Sequence, residues 1–261
     1  MMGAIAGDLI GSVYEAWPIK HKEFPLFSGD STFTDDTVLT VASADALLTD
    51  GDYIRAYQKY FARHPGRGYG ASFANWAVSR RTLAYGSFGN GAAMRVSPVA
   101  WAKGRLDLVL DEARRSAAVT HDHPEGLKGA MATAAAIFLA RKGADKAAIR
   151  RYLSETFGYD LDRNLDLIRP DYSFDVSCQG SVPESIISFL ESVDFEDAIR
   201  NAISLGGDAD TMACIAGAIA EAFYGGVPDK IAAETRARLD AGLLDVVDRF
   251  CHHSEASEHP G

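Results

Sequence analysis

The stretch DADTMACIAGAIAEAFY, residues 208–224, is the clearest indication of how this chain folds. Alanine dominates it, apolar residues recur at helical spacing and β-branched residues are few, which favours a long helix over residues 210–224. The side chain of Asp208 is expected to cap this helix by accepting a hydrogen bond from one of its first backbone N–H groups. Similar patterns recur along the chain, whereas strand patterns are almost absent. We therefore predict an all-α protein.

The same spacing predicts further helices on both sides of this stretch. Thr34 or Asp35 and, later, Asp194 stand where they can cap two of them. Gly3 and Gly7 fall one turn apart in the first helix, followed by Gly11, and this stripe predicts close approach to a neighbouring helix. The further helices are predicted at residues 3–16, 36–49, 52–63, 70–79, 107–118, 125–142, 145–156, 182–191, 195–204 and 228–240.

The 261 residues contain no internal repeat and no linker rich in proline, glycine or serine. We therefore expect a single globular domain over residues 1–251. The polar end HHSEASEHPG, residues 252–261, is expected to be a disordered tail.

Charge and cysteine content exclude several classes of protein. With 26 lysines and arginines against 36 aspartates and glutamates the net charge is -10, which argues against extensive nucleic-acid binding. The three cysteines form no metal-type spacing and indicate a reducing compartment, for which the cytoplasm is the default. No apolar run reaches the roughly 20 residues of a membrane span, and the opening segment carries Asp8 and Glu15 instead of a basic leader. We expect a cytoplasmic monomer.

Two acidic segments, TDDT at residues 34–37 and DADT at residues 208–211, stand where helices are predicted to begin. One alternative is that each only caps its helix, since acidic residues are favoured in a first turn. Capping requires one side-chain oxygen, however, whereas each segment offers at least three oxygen-bearing side chains within four residues. An all-oxygen set suits Mg²⁺ or Mn²⁺ better than Zn²⁺, and two ions close together could be held. Glu15 is a further possible acidic contributor.

A basic stretch lies inside this acidic protein. Residues 53–106 contain nine lysines and arginines, interleaved with aromatic residues, and no aspartate or glutamate. Such a stretch could receive an anionic ligand with a stackable ring. The alternative is that its aromatic residues belong to the core and its arginines to a solvated face. Within it, GSFGNGAAMR at residues 86–95 could expose consecutive backbone N–H groups as a nest for a phosphate, or could be a plain turn.

The segment THDHPEG at residues 120–126 allows two chemical interpretations. His-x-His could be a metal pair, as in the amidohydrolases, but the strand pattern of a β/α barrel is missing. We therefore expect His121 to contact the ligand and His123 to cap the helix that follows. A purely structural role for both histidines is the alternative.

These motifs, in this order, resemble the ADP-ribosylglycohydrolase family, which includes the dinitrogenase reductase-activating glycohydrolases and the ADP-ribosyl-acceptor hydrolases. The resemblance rests on GAIAGDLIGSVYE from residue 3, FTDDT from residue 33, GSFGNGAAMRVSP from residue 86, THDHPEG from residue 120 and SLGGDADTMACIAGAIA from residue 204. It implies an all-α fold with orthogonally packed helices and two divalent cations, Mg²⁺ or Mn²⁺. It also implies hydrolysis of the bond between ADP-ribose and a modified protein or small-molecule acceptor, with free ADP-ribose as product.

The resemblance also implies roles for individual residues, position by position. The implied metal ligands are Thr34, Asp35, Asp36, Asp208, Asp210 and Thr211. The implied substrate-binding residues are Ser87, Phe88, Gly89, Asn90, Gly91, Ala92 and His121. Proton transfer is expected from Glu15, on a mobile segment over the metals, or from Asp35 or Asp36.

The acceptor and two competing functions stay open at this level. An arginine linkage is favoured over a serine linkage, and residues 143–181, which carry no recognisable motif, could decide between them. The chain could instead be a non-catalytic ADP-ribose-binding or crystallin-like protein of the same fold. It could also be a metal-dependent phosphohydrolase that cleaves the diphosphate of a nucleotide.

Overall fold

The computed structural model describes the backbone of residues 1–258 and side chains through Ser254. This part of the chain is helical, and its only extended pairing is an isolated bridge between Gly89 and Ser177. In chain order the helices are α1 (Met2–Glu15), α2 (Asp35–Leu48), α3 (Tyr53–Arg63), α4 (Ala71–Val78), α5 (Gly91–Met94), α6 (Ser97–Ala102), α7 (Leu106–Ala118), α8 (Pro124–Arg141), α9 (Lys146–Phe157), α10 (Leu165–Ile168), α11 (Cys178–Leu190), α12 (Phe195–Ile203), α13 (Ala209–Tyr224), α14 (Asp229–Ala237) and α15 (Ala241–Glu258).

The all-α prediction is confirmed, and every predicted helix is present with shifted ends. The largest shift is at α11, which begins at Cys178 and not at residue 182. Ser177 caps it by accepting from the Gly180 N–H (3.2 Å), and Pro183 lies inside the helix. A proline is typical of a helix start, so its position in the sequence suggests a later beginning. The short helices α5, α6 and α10 were not predicted, because four to six residues carry too little periodicity.

Helix α15 was also not predicted, although its sequence carries the signals of a helix. Asp240 caps it by accepting from two backbone N–H groups at 2.9 Å each. Val246, Val247 and Phe250 are buried at helical spacing and pack into the core. The helix covers residues 252–258 of the expected tail, and residues 259–261 lie outside the described part of the chain.

The central packing of the fold joins α1 to α13. A Cβ atom at Gly7 would lie 2.1 Å from the Ala213 carbonyl oxygen, and one at Gly11 would lie 2.5 Å from the Asp210 Cα. Gly3 is equally close to α13. Only hydrogen atoms fit in these contacts, so the stripe of glycines lets two helix backbones touch. The predicted close approach is thereby confirmed. It places the part of α1 around Gly11 beside the N-terminus of α13.

The predicted caps of the other acidic segments are present. The Thr34 hydroxyl accepts from the Asp36 N–H (3.2 Å) at the start of α2, and Asp194 accepts from the Asp197 N–H (2.8 Å) at the start of α12. Among the described helices, none combines the length and the apolar character that a membrane crossing requires.

Candidate active site

The contact between α1 and α13 brings three carboxylates together from distant parts of the sequence. Asp8 of α1 lies beside Asp210 in the first turn of α13, and Asp36 in the first turn of α2 completes the group. Each offers an oxygen within 4.8 Å of the other two, and all three side chains are buried. We call these residues the inner carboxylate group.

A second group lies next to the first and shares a member with it. Glu15 at the end of α1, Asp208 just before α13 and Asp210 place carboxylate oxygens within 4.8 Å of one another. Glu15 is exposed, whereas the two aspartates are buried. We call these residues the outer carboxylate group. Asp210 belongs to both groups, so two clusters of oxygen atoms stand side by side.

Asp8 belongs to the inner carboxylate group, although the sequence motifs did not indicate it as a candidate ligand. Both of its oxygens accept hydrogen bonds: Oδ1 from the Thr34 hydroxyl (2.7 Å), and Oδ2 from the Thr34 N–H (3.0 Å), the Thr37 N–H (3.1 Å) and the Thr37 hydroxyl. It therefore ties α1 to the N-terminus of α2. A signal was present, because Asp8 is a lone charged residue within the apolar, glycine-rich face of α1.

The remaining predicted ligands lie around these groups in different ways. Besides its bond to Asp8, the Thr34 hydroxyl lies 3.3 Å from Asp36 Oδ2, and the Thr211 hydroxyl donates to the same oxygen (3.2 Å). Asp35 is outside both carboxylate groups but lines the same cavity, and its backbone N–H donates to the Arg67 carbonyl (2.7 Å). The structure thus brings all six predicted ligands into one region, with Asp35 at its edge.

The prediction that Asp208 caps α13 is wrong. Asp208 occupies the cap position, but its side chain makes no capping hydrogen bond. Its Oδ2 instead accepts from the side-chain amide of Asn90 (2.8 Å), and that amide also donates to the Ser181 hydroxyl (3.2 Å). The carboxylate is therefore directed towards Asn90 and not towards the first backbone N–H groups of α13.

Burial raises the pKa of these acids, and repulsion from neighbouring carboxylates adds to the effect at Asp35, Asp36 and Asp210. Burial, followed by neighbouring carboxylates, raises the pKa of Asp36 and Asp210 well above the usual range. Burial, and next the charge of Asp8, raises the pKa of Asp35 to about 8. Burial also raises the pKa of Asp8 despite the hydrogen bonds it accepts. No lysine or arginine within the described residues pairs with these acids, so their ionised forms need another positive charge.

The donor set fits hard divalent cations. Asp36 Oδ1 is buried and has no hydrogen-bond partner among the described residues, which is a costly arrangement unless something else contacts the oxygen. Carboxylates and threonine hydroxyls are the oxygen ligands that Mg²⁺ and Mn²⁺ prefer. Two adjacent groups that share Asp210 have the arrangement expected of a two-ion centre.

A cavity of about 350 Å³ opens onto the carboxylates. Its opposite wall is the loop at residues 86–91, which the motif analysis singled out. Five predicted substrate-binding residues line it, namely Ser87, Gly89, Asn90, Gly91 and His121. The volume is within the range of small-molecule sites.

The loop does not form the predicted nest of consecutive free N–H groups. The Gly86 N–H donates to Asp122 Oδ1 (2.8 Å), the Gly89 N–H to the Ser87 hydroxyl (3.2 Å), and the Asn90 N–H to the Val176 carbonyl (2.8 Å). These amides hold the loop in place. What the glycines offer the cavity is therefore a wall without side chains.

The segment at residues 176–178 supports this loop, although the sequence analysis found no motif there. The Cys178 N–H donates to the Phe88 carbonyl (2.9 Å), and the Cys178 thiol donates to the Gly89 carbonyl (3.0 Å). A buried cysteine that packs against the carbonyl groups of a distant loop leaves no periodic or spacing signal in the sequence. Only the tertiary contact identifies this role.

Two other predicted binding residues do not line the cavity. Phe88 is 50% exposed, and its ring packs at 5.5 Å against that of His123. Ala92 is fully buried in the core. The expected cap at His123 is confirmed, because its Nδ1 accepts from the Glu125 N–H (3.1 Å).

The stretch at residues 53–106 supplies much of the cavity lining, but most of its cationic side chains lie elsewhere. Of its nine cationic residues only Arg95 lines the wall. Arg67 lies with its guanidinium carbon 3.8 Å from the ring centre of Phe33 and donates to the Thr32 hydroxyl (2.9 Å). For an anionic ligand with a stackable ring, the stretch therefore offers one cation at the cavity, Arg95, and the aromatic rings of Phe73 and Tyr85.

The family model described as ADP-ribosylglycohydrolase matches residues 1–260. The chain belongs to the ADP-ribosylglycohydrolase family. The resemblance seen in the motifs is thereby confirmed. A solved structure described as an ADP-ribosylglycohydrolase-related protein complex superposes with a TM-score of 0.72 over 97% of both chains, at 24% identity, and shows that the fold is shared.

Curated relatives of the family cover most of the chain. Human ADP-ribosylhydrolase ARH3 is 28% identical over 86% of this chain and 84% of its own length. ADP-ribosylarginine hydrolase Tri1 of Pseudomonas putida is 26% identical over 86% of this chain and 69% of its own length. These relatives are hydrolases by name, so this chain is similar to enzymes and not only to binding proteins.

In this member of the ADP-ribosylglycohydrolase family, we expect Asp8→Asn to weaken Mg²⁺ or Mn²⁺ binding by about ten- to a hundredfold. The amide keeps one acceptor oxygen for Thr34 but removes the charge and replaces the other acceptor by a donor beside Thr37. Calorimetric titration of the metal measures the loss. Asp45→Asn, which changes a buried aspartate paired with Lys59, is the control and should retain metal affinity. Unchanged metal affinity in Asp8→Asn would contradict a place for Asp8 in the centre.

Proposed function

We propose that this chain hydrolyses the glycosidic bond between ADP-ribose and a modified acceptor, using two divalent cations, Mg²⁺ or Mn²⁺. The observation that carries the proposal is the pair of carboxylate groups joined at Asp210 and facing a cavity of ligand size. That it works in the cytoplasm and as a monomer stays a prediction from the sequence.

The proposed metal ligands come from both carboxylate groups and the residues around them. Asp8 joins the set implied by the resemblance, and the others are Thr34, Asp35, Asp36, Asp208, Asp210 and Thr211. When bound, the cations would hold ribose hydroxyls and a water molecule and lower the pKa of that water. The side-chain amide of Asn90 would orient the Asp208 carboxylate.

The wall opposite the carboxylates would hold the diphosphate and ribose. Gly89 and Gly91 place no side chain on this wall, so the ligand would meet their backbone directly. A Cβ at Gly91 would lie 3.2 Å from His121 Nε2, so this glycine also makes room for the histidine ring. Ser87 and His121 supply polar atoms at the same wall. Phe88 belongs to the loop but does not line the cavity. It would therefore contact only a ligand that extends beyond this wall.

Among the three candidate acids, Glu15 is best placed to move a proton. Bond cleavage at the anomeric carbon develops positive charge on the sugar and requires a proton on the departing acceptor. Asp36 is buried and fixed by the Thr211 hydroxyl, and Asp35 lies at the edge of the site. Glu15 is exposed at the end of α1, so its side chain can move between the cavity and solvent.

An arginine linkage suits the charge of the site better than a serine linkage. Six carboxylates surround it, and when ionised they exceed the combined charge of two divalent cations and Arg95 by one unit. This residual negative charge favours a guanidinium over a neutral hydroxyl as the departing acceptor. The name of the Pseudomonas putida relative refers to arginine, which supports the same preference.

The two competing functions predict different features. A non-catalytic or crystallin-like member has no need for such a cluster, yet five of the six acids here lie in two close groups, and no lysine or arginine among the described residues pairs with them. A phosphohydrolase would cleave the diphosphate of free ADP-ribose and release AMP. A glycohydrolase leaves ADP-ribose intact.

Product analysis tests the proposal directly. The protein is incubated with arginine-modified and serine-modified ADP-ribosyl peptides, with Mg²⁺, with Mn²⁺ and after exhaustive chelation, and the products are identified by mass spectrometry. We expect intact ADP-ribose and unmodified peptide, faster release from arginine, and no turnover after chelation. Release of AMP would identify a phosphohydrolase, and full activity after chelation would exclude the metal mechanism.

A further inference from the structure

A buried arginine on the cavity wall has no counter-ion. Arg95 is 1% exposed, and within the described part of the chain no carboxylate pairs with it. Its Nε and Nη1 have no hydrogen-bond partner there, and its guanidinium carbon lies 4.0 Å from the centre of the Tyr57 ring. An unpaired buried charge is costly, so its remaining contacts are informative.

The polar contacts of Arg95 lead to a histidine of the cavity. Arg95 Nη2 donates to the Thr120 hydroxyl oxygen (2.7 Å) and lies 3.4 Å from the Ser116 carbonyl oxygen. The same Thr120 oxygen is 2.8 Å from His121 Nδ1. Arginine can only donate, so the threonine oxygen accepts on that side and its own proton is available for His121 Nδ1. In this arrangement Nδ1 accepts, and a neutral imidazole then carries its proton on Nε2.

The other ring nitrogen of His121 faces the ligand side. Its Nε2 lies against the loop wall, 3.2 Å from a Cβ placed on Gly91 and 3.8 Å from one on Gly89. It makes no hydrogen bond to the described residues, and the residue lines the cavity. Burial, and next the charge of Arg95, lowers the pKa of His121 well below its usual value, which agrees with a neutral ring. Tyr85, whose ring centre is 6.1 Å away and whose side chain also hydrogen-bonds Thr120, is the other titratable neighbour.

We propose that Thr120, with its hydroxyl oriented by Arg95, is a positioning residue that holds His121 as the neutral tautomer with the proton on Nε2. The His121 N–H is then a fixed hydrogen-bond donor to an anionic oxygen in the cavity. The inference rests on the proposed function for the identity of that ligand, a diphosphate oxygen of ADP-ribose. The tautomer itself depends on these three side chains and on Tyr85, which also contacts Thr120, and not on the identity of the ligand.

The test combines a spectroscopic measurement with a binding measurement on the Mg²⁺-loaded protein. Nitrogen NMR of the histidine rings reports which nitrogen of His121 carries the proton, and His121→Asn assigns the signal. Thr120→Val removes the hydroxyl at nearly constant volume, and Thr120→Ser keeps it. Thr133→Val is the matched control, because the Thr133 hydroxyl is buried and has no partner among the described residues.

We expect the wild type and Thr120→Ser to carry the proton on Nε2 and Thr120→Val to show a mixture of tautomers. The calorimetric Kd for ADP-ribose should rise about tenfold in Thr120→Val and stay within about twofold in Thr120→Ser and Thr133→Val. A wild-type proton on Nδ1, or a single Nε2 tautomer retained in Thr120→Val, would overturn the inference. If the wild type did not bind ADP-ribose, the proposed function would fail, whereas the NMR result would still decide the role of Thr120.

Discussion

Asp210→Asn is expected to lower kcat/KM for an ADP-ribosylated peptide by about a thousandfold or more. Asp210 is the carboxylate that the inner and outer groups share, so one substitution removes a charged oxygen from both. Asparagine keeps the volume and an acceptor oxygen for the Thr211 N–H. The packing of α1 on α13 at Gly11 should therefore survive, and the loss should be one of metal binding and turnover.

Three measurements separate this result from simple unfolding. Metal content after dialysis against Mn²⁺ should fall, kcat/KM should fall, and the melting temperature of the metal-free protein should stay the same or rise. The rise is expected because the substitution removes repulsion with Asp36 and Asp208. Asp45→Asn, the control from another buried site, should retain metal content and turnover. Wild-type turnover in Asp210→Asn would mean that the reaction centre lies elsewhere.

The second large effect is expected for Glu15→Gln, which should lower kcat by about a hundredfold or more while ADP-ribose affinity changes less than about threefold. Glutamine has the shape of glutamate but cannot give or take the proton. Glu15 is the last residue of α1, and Pro18 follows shortly after the helix ends. The helix thus holds the backbone of Glu15 on one side only. Its side chain lies beside Asp208 and can move when substrate enters.

The matched control for this variant is Glu23→Gln. Glu23 lies in the same segment after α1, and its side chain is 90% exposed, so its amide variant should turn over normally. Steady-state kinetics give kcat, and calorimetry gives the affinity for ADP-ribose. If Glu15→Gln kept near-normal kcat, proton transfer would return to Asp35 or Asp36.

The sequence alone was sufficient for features that depend on neighbouring residues. Helical spacing in residues 208–224, the threonine cap at Thr34 and the glycine stripe of α1 are local, and the structure contains all three. The acidic segments were also visible, because several oxygens at a helix start exceed what a cap requires. The family order of the motifs then indicated what these segments do together.

Tertiary structure alone decided which atoms meet. Asp8 and Asp210 are separated by about two hundred residues, and only the backbone contact of α1 with α13 places them in one group. Tertiary structure also turned the Asp208 carboxylate towards Asn90 and not towards the helix that it was expected to cap. The orientation of such a side chain depends on the competition between a local hydrogen bond and a contact with a distant residue. A sequence pattern does not reveal the free energy of that distant contact. Helix formation is local and periodic, whereas a catalytic site is a set of long-range contacts, so the sequence by itself determined the first and the fold completed the second.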